Sequence, residues 1–256
     1  MPKIALVIGA TSGIGRAVAI ALASNGYTTV VAGRGATKGN EVIKEIQELG
    51  ATAAFLPVDL KNRQSIKDLH ANIISTYGQL DVAVNCAGVA IHLKKLADVS
   101  EEDLDSTFAV QITGFYLSMQ AQLKAMLPKK SGHIINFSSI YGSNGFPFGS
   151  AISASKHAVI GMTKSAAIEY AAEGIYINAI APGLVPTEMV AALGAEMSAP
   201  DADPRVKAMD MAKFYPAGRF GQPEDIGKAV VYLAEQDWVT GTVLTVDGGA
   251  TAGHNL

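Results

Sequence analysis

Short apolar runs alternate with helical stretches along the whole chain, and this alternation limits the fold more than any other feature. Most of the runs lack a polar residue at every second position, as expected of strands that are buried on both faces of a sheet. The pattern predicts an α/β fold with a doubly wound parallel sheet of seven strands in one domain. The predicted strands are residues 4–8, 28–32, 53–58, 82–85, 133–137, 176–180 and 243–246.

One long segment interrupts the alternation, from about residue 184 to residue 215. It contains Pro186, Pro200 and Pro204 and four of the eight Met residues of the chain. A long irregular insert in a compact domain is usually functional, and a Met-rich surface adapts to different ligands. We therefore expect the segment to be a lid that covers a substrate.

Composition excludes several classes of partner. The chain has 256 residues, of which 49% are hydrophobic, and a formal net charge of −3. This balance gives no basic surface for nucleic acid, and no apolar run approaches the roughly 18–20 residues that span a membrane. The only cysteine is Cys86, which excludes an internal disulfide and is typical of a cytoplasmic protein. We assign no metal site.

A glycine-rich turn lies between the first predicted strand and the first predicted helix. Its sequence is Gly9-Ala-Thr-Ser-Gly13-Ile-Gly15. Glycines at such a junction allow a sharp turn and let a pyrophosphate approach the amides at the helix N-terminus. The spacing differs from the common G-x-G-x-x-G pattern, so a purely structural turn is the alternative. The position between strand and helix favours a dinucleotide site.

Together with other motifs in the same order, this turn resembles the short-chain dehydrogenase/reductase family over about residues 3–250. The resemblance implies a Rossmann-type sheet, a nicotinamide cofactor and hydride transfer to or from a carbonyl or alcohol. It also implies a homotetramer, with helices at 102–127 and 153–172 in the interface. The motifs are Gly9-x-x-x-Gly13-x-Gly15, Asn85-Cys-Ala-Gly88, Ser139, Lys156, Pro182-Gly-x-x-x-Thr187 and Asp247-Gly-Gly.

The residues that end the second strand favour NADP(H) over NAD(H). A carboxylate there would bind the ribose hydroxyls and repel a 2′-phosphate, but this chain has Gly33 followed by Arg34. Arginine offers a charged planar fork for a phosphate, although a solvated surface arginine is the alternative. By resemblance, the other cofactor contacts are Gly9, Thr11, Ser12, Gly13, Ile14, Gly15, Asp59, Leu60, Asn85, Ala87, Gly88, Lys156, Pro182, Gly183 and Thr187.

The catalytic positions of the family are only partly filled. The resemblance assigns Ser139 to the serine that holds the substrate oxygen and Lys156 to the lysine that lowers the pKa of a catalytic tyrosine. The tyrosine position holds Ile152, and the position of an asparagine in the proton relay holds Gln111. Isoleucine has no titratable proton, so we expect carbonyl reduction to be slowed by roughly 10²–10⁴ unless another group donates the proton.

Three groups could replace the missing donor: Tyr141, His92, or a water held by Ser139 and Lys156. Tyr141 is otherwise an aromatic residue beside the substrate, and His92 an exposed loop histidine. A moderately apolar carbonyl compound is the expected substrate. The residues expected to line its site are His92, Tyr141, Phe148, Leu184 and Met189.

Three functions are compatible with the sequence. The first is an NADPH-dependent oxidoreductase, either a variant from which the proton donor was removed or a natural member with a different donor. The second is a non-redox enzyme, such as an isomerase or dehydratase, that keeps the cofactor. The third is a catalytically silent protein that binds NADPH. Fold alone does not decide among them.

Overall fold

A seven-stranded parallel sheet forms the centre of the computed structural model, which describes residues 2–89, 93–197 and 215–253. The strand order is β3-β2-β1-β4-β5-β6-β7, and every neighbouring pair is parallel. This confirms the predicted doubly wound sheet. The strands are β1 Ile4–Ile8, β2 Thr28–Gly33, β3 Ala53–Pro57, β4 Val82–Asn85, β5 Gly132–Phe137, β6 Ile175–Pro182 and β7 Val243–Val246.

Helices cover both faces of the sheet. One hydrophobic cluster contains side chains from α3, α5 and α6, and a second contains side chains from α1, α2 and α8. Within the described ranges, no helix is both long and apolar enough to span a membrane. The helices are α1 Gly13–Ser24, α2 Ala36–Glu48, α3 Arg63–Tyr77, α4 Glu101–Phe108, α5 Phe115–Met126, α6 Ser150–Tyr170, α7 Glu188–Met197 and α8 Pro223–Ala234.

Strand β1 explains why the apolar runs lack polar alternation. Ile4, Leu6 and Ile8 belong to the first cluster, whereas Ala5 and Val7 belong to the second. All five residues are at most 3% exposed. Because successive side chains of a strand point to opposite faces, a sheet covered on both faces requires apolar residues at every position.

Helix α3 begins and ends where local chemistry predicts. The Asn62 side chain accepts hydrogen bonds from two N–H groups of the first turn, and Gly78 follows the helix with a φ of 72°. Ile66, Leu69 and Ile73 are buried on one side, at helical spacing. The sequence pattern therefore predicts both the helix and the face that packs on the sheet.

The segment expected to be an irregular lid contains a regular element. Helix α7 occupies residues 188–197, whereas residues 198–214 lie outside the described part of the chain. The prediction of irregular structure was therefore wrong for α7, which starts directly after the loop that contains Pro186. The covering role of residues 184–215 stays a prediction.

Candidate active site

A cavity of about 390 Å³ opens at the carboxyl edge of the sheet. Pockets for small ligands lie there in doubly wound sheets, because the strand order reverses beside the first strand. The cavity brings together most of the predicted site residues. They are Gly9, Thr11, Ser12, Gly13, Ile14, Gly15, Gly33, Arg34, Asp59, Leu60, Ala87, Gly88, Gln111, Ser139, Ile152, Lys156, Pro182, Gly183, Thr187 and Met189.

Of the five remaining predicted residues, four are not part of this wall. Tyr141, Phe148 and Leu184 do not line the cavity, and His92 lies outside the described residues. Asn85 is fully buried behind the wall. Its side-chain amide exchanges hydrogen bonds with that of Gln122, at 3.0 and 2.8 Å, and donates another to Asn136. The Asn85 side chain thus joins strands β4 and β5 to α5, which is a supporting role that the motif alone does not reveal.

Several lining residues were missed at the sequence level. Most are direct neighbours of predicted residues at the ends of strands. Their position at the end of a predicted strand could therefore have identified them as lining residues. Cys86 follows β4, and Glu188 is the first residue of α7. The missed residues are Ile8, Val58, Cys86, Val89, Val110, Phe137, Ser138 and Glu188.

The glycine turn is a cradle made of backbone. Gly9 has a φ of 89°, and a Cβ atom on it would lie 2.6 Å from the Ala87 Cα. Gly13 has a φ of 53°, and its Cβ would lie 3.1 Å from a methyl carbon of Thr187. Side chains are therefore excluded where α1 begins, and the first turn of α1 carries no acidic residue. These features fit a pyrophosphate at the helix N-terminus.

Arg34 supplies a positive charge at the edge of the cradle. It directly follows β2, it is exposed, and it has no ion-pair partner in the described part of the chain. The neighbouring cation Lys38 is paired at 2.7 Å with Glu188, which lines the cavity. A guanidinium that pairs with no described carboxylate fits the 2′-phosphate of NADP(H).

Lys156 projects from α6 into the opposite end of the cavity. Its Nζ donates a hydrogen bond of 2.8 Å to the Phe137 carbonyl and lies 5.6 Å from the centre of the Phe115 ring. Burial lowers the pKa of Lys156 to about 8, against a small opposing effect of Cys86. Burial raises the pKa of Cys86 itself to about 12, so its thiol is not ionised near neutral pH.

Ile152 lies one helical turn before Lys156, on the same face of α6. It is 8% exposed and forms part of the cavity wall. Gln111 lies in a π-helical segment, Ala109–Gly114, and its Oε1 accepts a hydrogen bond of 2.7 Å from Ser155. Such segments are frequent at functional sites. The position that carries the tyrosine hydroxyl in the resembling family is here an apolar surface.

Tyr141 is held by packing rather than aimed at the cavity. Its ring stacks on Phe146 with ring centres 4.4 Å apart, and Gly149 leaves room beside it. Burial, and then the charge of Tyr215, raise the pKa of the Tyr141 phenol. The Tyr141 N–H donates to the Ser139 hydroxyl at 3.3 Å. The structure therefore makes Tyr141 a neighbour of Ser139 without placing its hydroxyl in the wall.

Comparison with known proteins identifies the family. The family model described as "Enoyl-(Acyl carrier protein) reductase" matches residues 9–251. The chain is 34% identical to a 3beta-hydroxysteroid dehydrogenase of Mediterraneibacter gnavus, over 97% of this chain and 95% of the relative. It is 35% identical to the 3-oxoacyl-[acyl-carrier-protein] reductase FabG of Staphylococcus aureus, over 97% and 98%.

Solved structures give the same result. ElxO with NADP bound has a TM-score of 0.87 and 31% identity, covering 99% of this chain and 100% of that one. An Agrobacterium tumefaciens protein with bound NADP has a TM-score of 0.85 and 36% identity, covering 98% and 97%. Levodione reductase has a TM-score of 0.93 and 27% identity, covering 98% of each chain. The chain therefore belongs to the short-chain dehydrogenase/reductase family.

Proposed function

We propose that this chain transfers hydride between NADP(H) and a small carbonyl or alcohol compound, in a cavity whose proton donor is not residue 152. Membership of the family makes the protein an NADP-dependent oxidoreductase. One observation carries the finer proposal. The glycine cradle, Arg34, Ser139 and Lys156 line a single cavity, and Ile152 forms the wall where a titratable hydroxyl is expected.

The residues of the cavity fit NADP(H) along its whole length. The glycine turn would hold the pyrophosphate, and Arg34 the 2′-phosphate. Lys156 would hold the ribose next to the nicotinamide, and Pro182 and Thr187 would border that end. When bound, NADPH supplies the hydride. The chain itself positions both reactants and supplies or accepts the proton.

The chain keeps a group for the substrate oxygen and lacks the usual acid. The Ser139 hydroxyl lines the cavity at the end of β5 and is available to donate to a carbonyl oxygen. Ile152 offers only methyl groups there. General acid catalysis is worth about 10²–10⁴ in rate, so the present chain reduces ordinary ketones more slowly than a tyrosine-containing counterpart. We infer an enzyme that is impaired or redirected at the proton-transfer step.

The substrate is a small molecule, since one of the named relatives is a 3beta-hydroxysteroid dehydrogenase. We infer a moderately apolar carbonyl compound. Val89, Val110, Ile152 and Met189 give this part of the cavity an apolar lining. We also propose that residues 184–215 cover the substrate, because Met189 reaches the wall from α7 and Gly88 leaves room for its methyl group.

A silent NADPH-binding protein is the second candidate, and Ile152 is the observation that favours it. A panel of ketones with NADPH distinguishes the two candidates. An oxidoreductase oxidises NADPH with at least one ketone and does so faster after Ile152→Tyr. Tight NADPH binding with no oxidation by either protein would establish the silent binder. Failure of both proteins to bind NADPH would overturn both candidates.

We further propose a cytoplasmic homotetramer. Tyr116 on α5 and Ile168 on α6 are 54% and 84% exposed, which is unusual for large apolar residues and suits an interface between helices 102–127 and 153–172. Light scattering after size exclusion tests the assembly. A stable monomer, unaffected by Ile168→Asp, would contradict it.

A further inference from the structure

Within the described ranges, five side chains with an exchangeable proton line the cavity at the ends of β4 and β5, in the π-helical segment and on α6. Among the described residues of these elements, they and the water that they hold are the candidate sources of a proton for a substrate oxygen. They are Cys86, Gln111, Ser138, Ser139 and Lys156.

Four of the five are poor acids. The Cys86 pKa of about 12 keeps its proton in place near neutral pH. The Ser138 hydroxyl already donates to the Lys156 carbonyl at 3.1 Å. Ser139 is an alcohol and Gln111 an amide, and neither side chain loses a proton in the neutral range. Tyr141, whose raised pKa would in any case oppose transfer, does not line the cavity.

Lys156 differs from these groups in geometry as well as in acidity. Its Nζ donates one hydrogen bond, to the Phe137 carbonyl, and an ammonium has three N–H bonds. Two N–H bonds therefore remain, one for the ribose that Lys156 would hold and one for a proton acceptor in the cavity, from a position one helical turn from Ile152 on the same helix face. No carboxylate in the described part of the chain pairs with the ammonium to hold the charge in place.

Few described groups near Lys156 change its pKa. Strand β4 is followed by the Cys86 thiol, β5 contributes the Phe137 carbonyl, and α5 contributes the Phe115 ring. Cys86 is the one titratable group among the described residues that perturbs Lys156. Burial therefore dominates, and it lowers the pKa of Lys156 to about 8.

We propose that Lys156 is itself the proton donor of carbonyl reduction in this chain. As hydride adds to the carbonyl carbon, the π electron pair of the C=O bond moves to the oxygen and forms an O–H bond with a proton from the Lys156 ammonium. This proton moves directly or through one water held by Ser139. Lys156 is left as a neutral amine and regains a proton from solvent. In alcohol oxidation the neutral amine accepts the proton. This proposal rests on the proposed oxidoreductase function.

A Lys156 donor should give opposite pH profiles for carbonyl reduction and for alcohol oxidation. Reduction requires the ammonium, so its single-turnover rate is level below pH about 8 and falls about tenfold per pH unit above it. Oxidation requires the amine, so its rate rises with pH up to about 8 and then levels. Ile152→Tyr introduces a different acid and should shift the reduction profile.

Two variants and one measurement without substrate test the proposal. Lys156→Arg keeps a positive charge that does not release its proton in the accessible pH range. We expect it to slow reduction at least a hundredfold at saturating NADPH, and we expect the added change Ile152→Tyr to recover most of the loss. In the protein alone, NMR of ¹³C-labelled lysine should show one lysine that titrates near pH 8 and is missing from Lys156→Arg.

The outcomes separate this proposal from the proposed function. Unchanged reduction by Lys156→Arg, or a reduction rate that stays flat from pH 7 to 9, overturns Lys156 as donor and leaves an oxidoreductase with another donor. If Lys156→Arg loses NADPH binding, the pH profile and the lysine titration of the unchanged chain decide. Failure of the unchanged chain and of Ile152→Tyr to oxidise NADPH overturns the proposed function itself.

Discussion

The two ends of the cavity are built from different parts of the chain. The end beside β1 and β2 is shaped by backbone, with glycines at positions where a Cβ would collide with neighbouring atoms. The end beside β5 and α6 depends on individual side chains, namely Ser139, Ile152 and Lys156. A backbone cradle survives most side-chain substitutions, whereas one substitution removes an acid. We therefore expect a substitution at residue 152 to change proton transfer without changing cofactor binding.

Substitution of residue 152 should separate proton transfer from cofactor binding most clearly. We expect Ile152→Tyr to raise single-turnover reduction by roughly 10²–10⁴, because a phenol next to the Lys156 ammonium adds an acid at the position that the family uses. Stopped-flow measurement of NADPH oxidation checks the rate. Ile152→Phe is the matched control, since it adds the ring without the hydroxyl. An equal gain with phenylalanine would mean that shape, not the proton, limits the reaction.

The cradle itself can be broken by a single methyl group. Gly9→Ala should lower the free energy of unfolding by about 3 kcal/mol, because the residue has a positive φ and its Cβ would meet the backbone of Ala87. Gly26 has a φ of 85° with open space around it, so Gly26→Ala should cost only about 1 kcal/mol. Urea unfolding of both variants measures the difference. Equal losses would show that the close approach at Gly9 is not energetically important.

The charge at the edge of the cradle should determine the choice of cofactor. We expect Arg34→Leu to weaken NADPH binding roughly 10–100-fold and to leave NADH binding nearly unchanged, because a charge-assisted hydrogen bond contributes about 1.5–3 kcal/mol. Fluorescence titration gives both constants. Arg63→Leu, at the start of α3 and outside the cavity, is the control. NADPH affinity that survives Arg34→Leu would remove Arg34 from the site.

The ion pair between Lys38 and the wall residue Glu188 should have the smallest effect. Lys38 and Glu188 are 52% and 74% exposed in their side chains, so their attraction is weak. Glu188→Gln releases Lys38 and removes a negative charge from the wall, which should raise NADPH affinity about twofold to threefold. Glu224→Gln on α8, away from the cavity, should leave the affinity unchanged. A weaker NADPH complex after Glu188→Gln would mean that Glu188 contacts the cofactor favourably.

The sequence predicts the sheet and the cradle well because both are encoded locally. Apolar runs specify the strands, and three glycines at the junction of a strand and a helix specify the turn. The orientation of a side chain, by contrast, is not determined by the local sequence. Asn85 points into a network with Gln122 and Asn136 that only the packing of β4, β5 and α5 creates. Tyr141 is near Ser139 in sequence, yet its ring stacks on Phe146, outside the cavity wall.

The separation of the two ends is tested most directly by NADPH binding to proteins that differ only at residue 152. Fluorescence titration of the unchanged chain, Ile152→Phe and Ile152→Tyr should give dissociation constants within about threefold of one another, with NADPH preferred to NADH in all three. A chain that binds NADPH only when residue 152 is tyrosine would contradict the separation, since cofactor binding would then depend on the group that donates the proton.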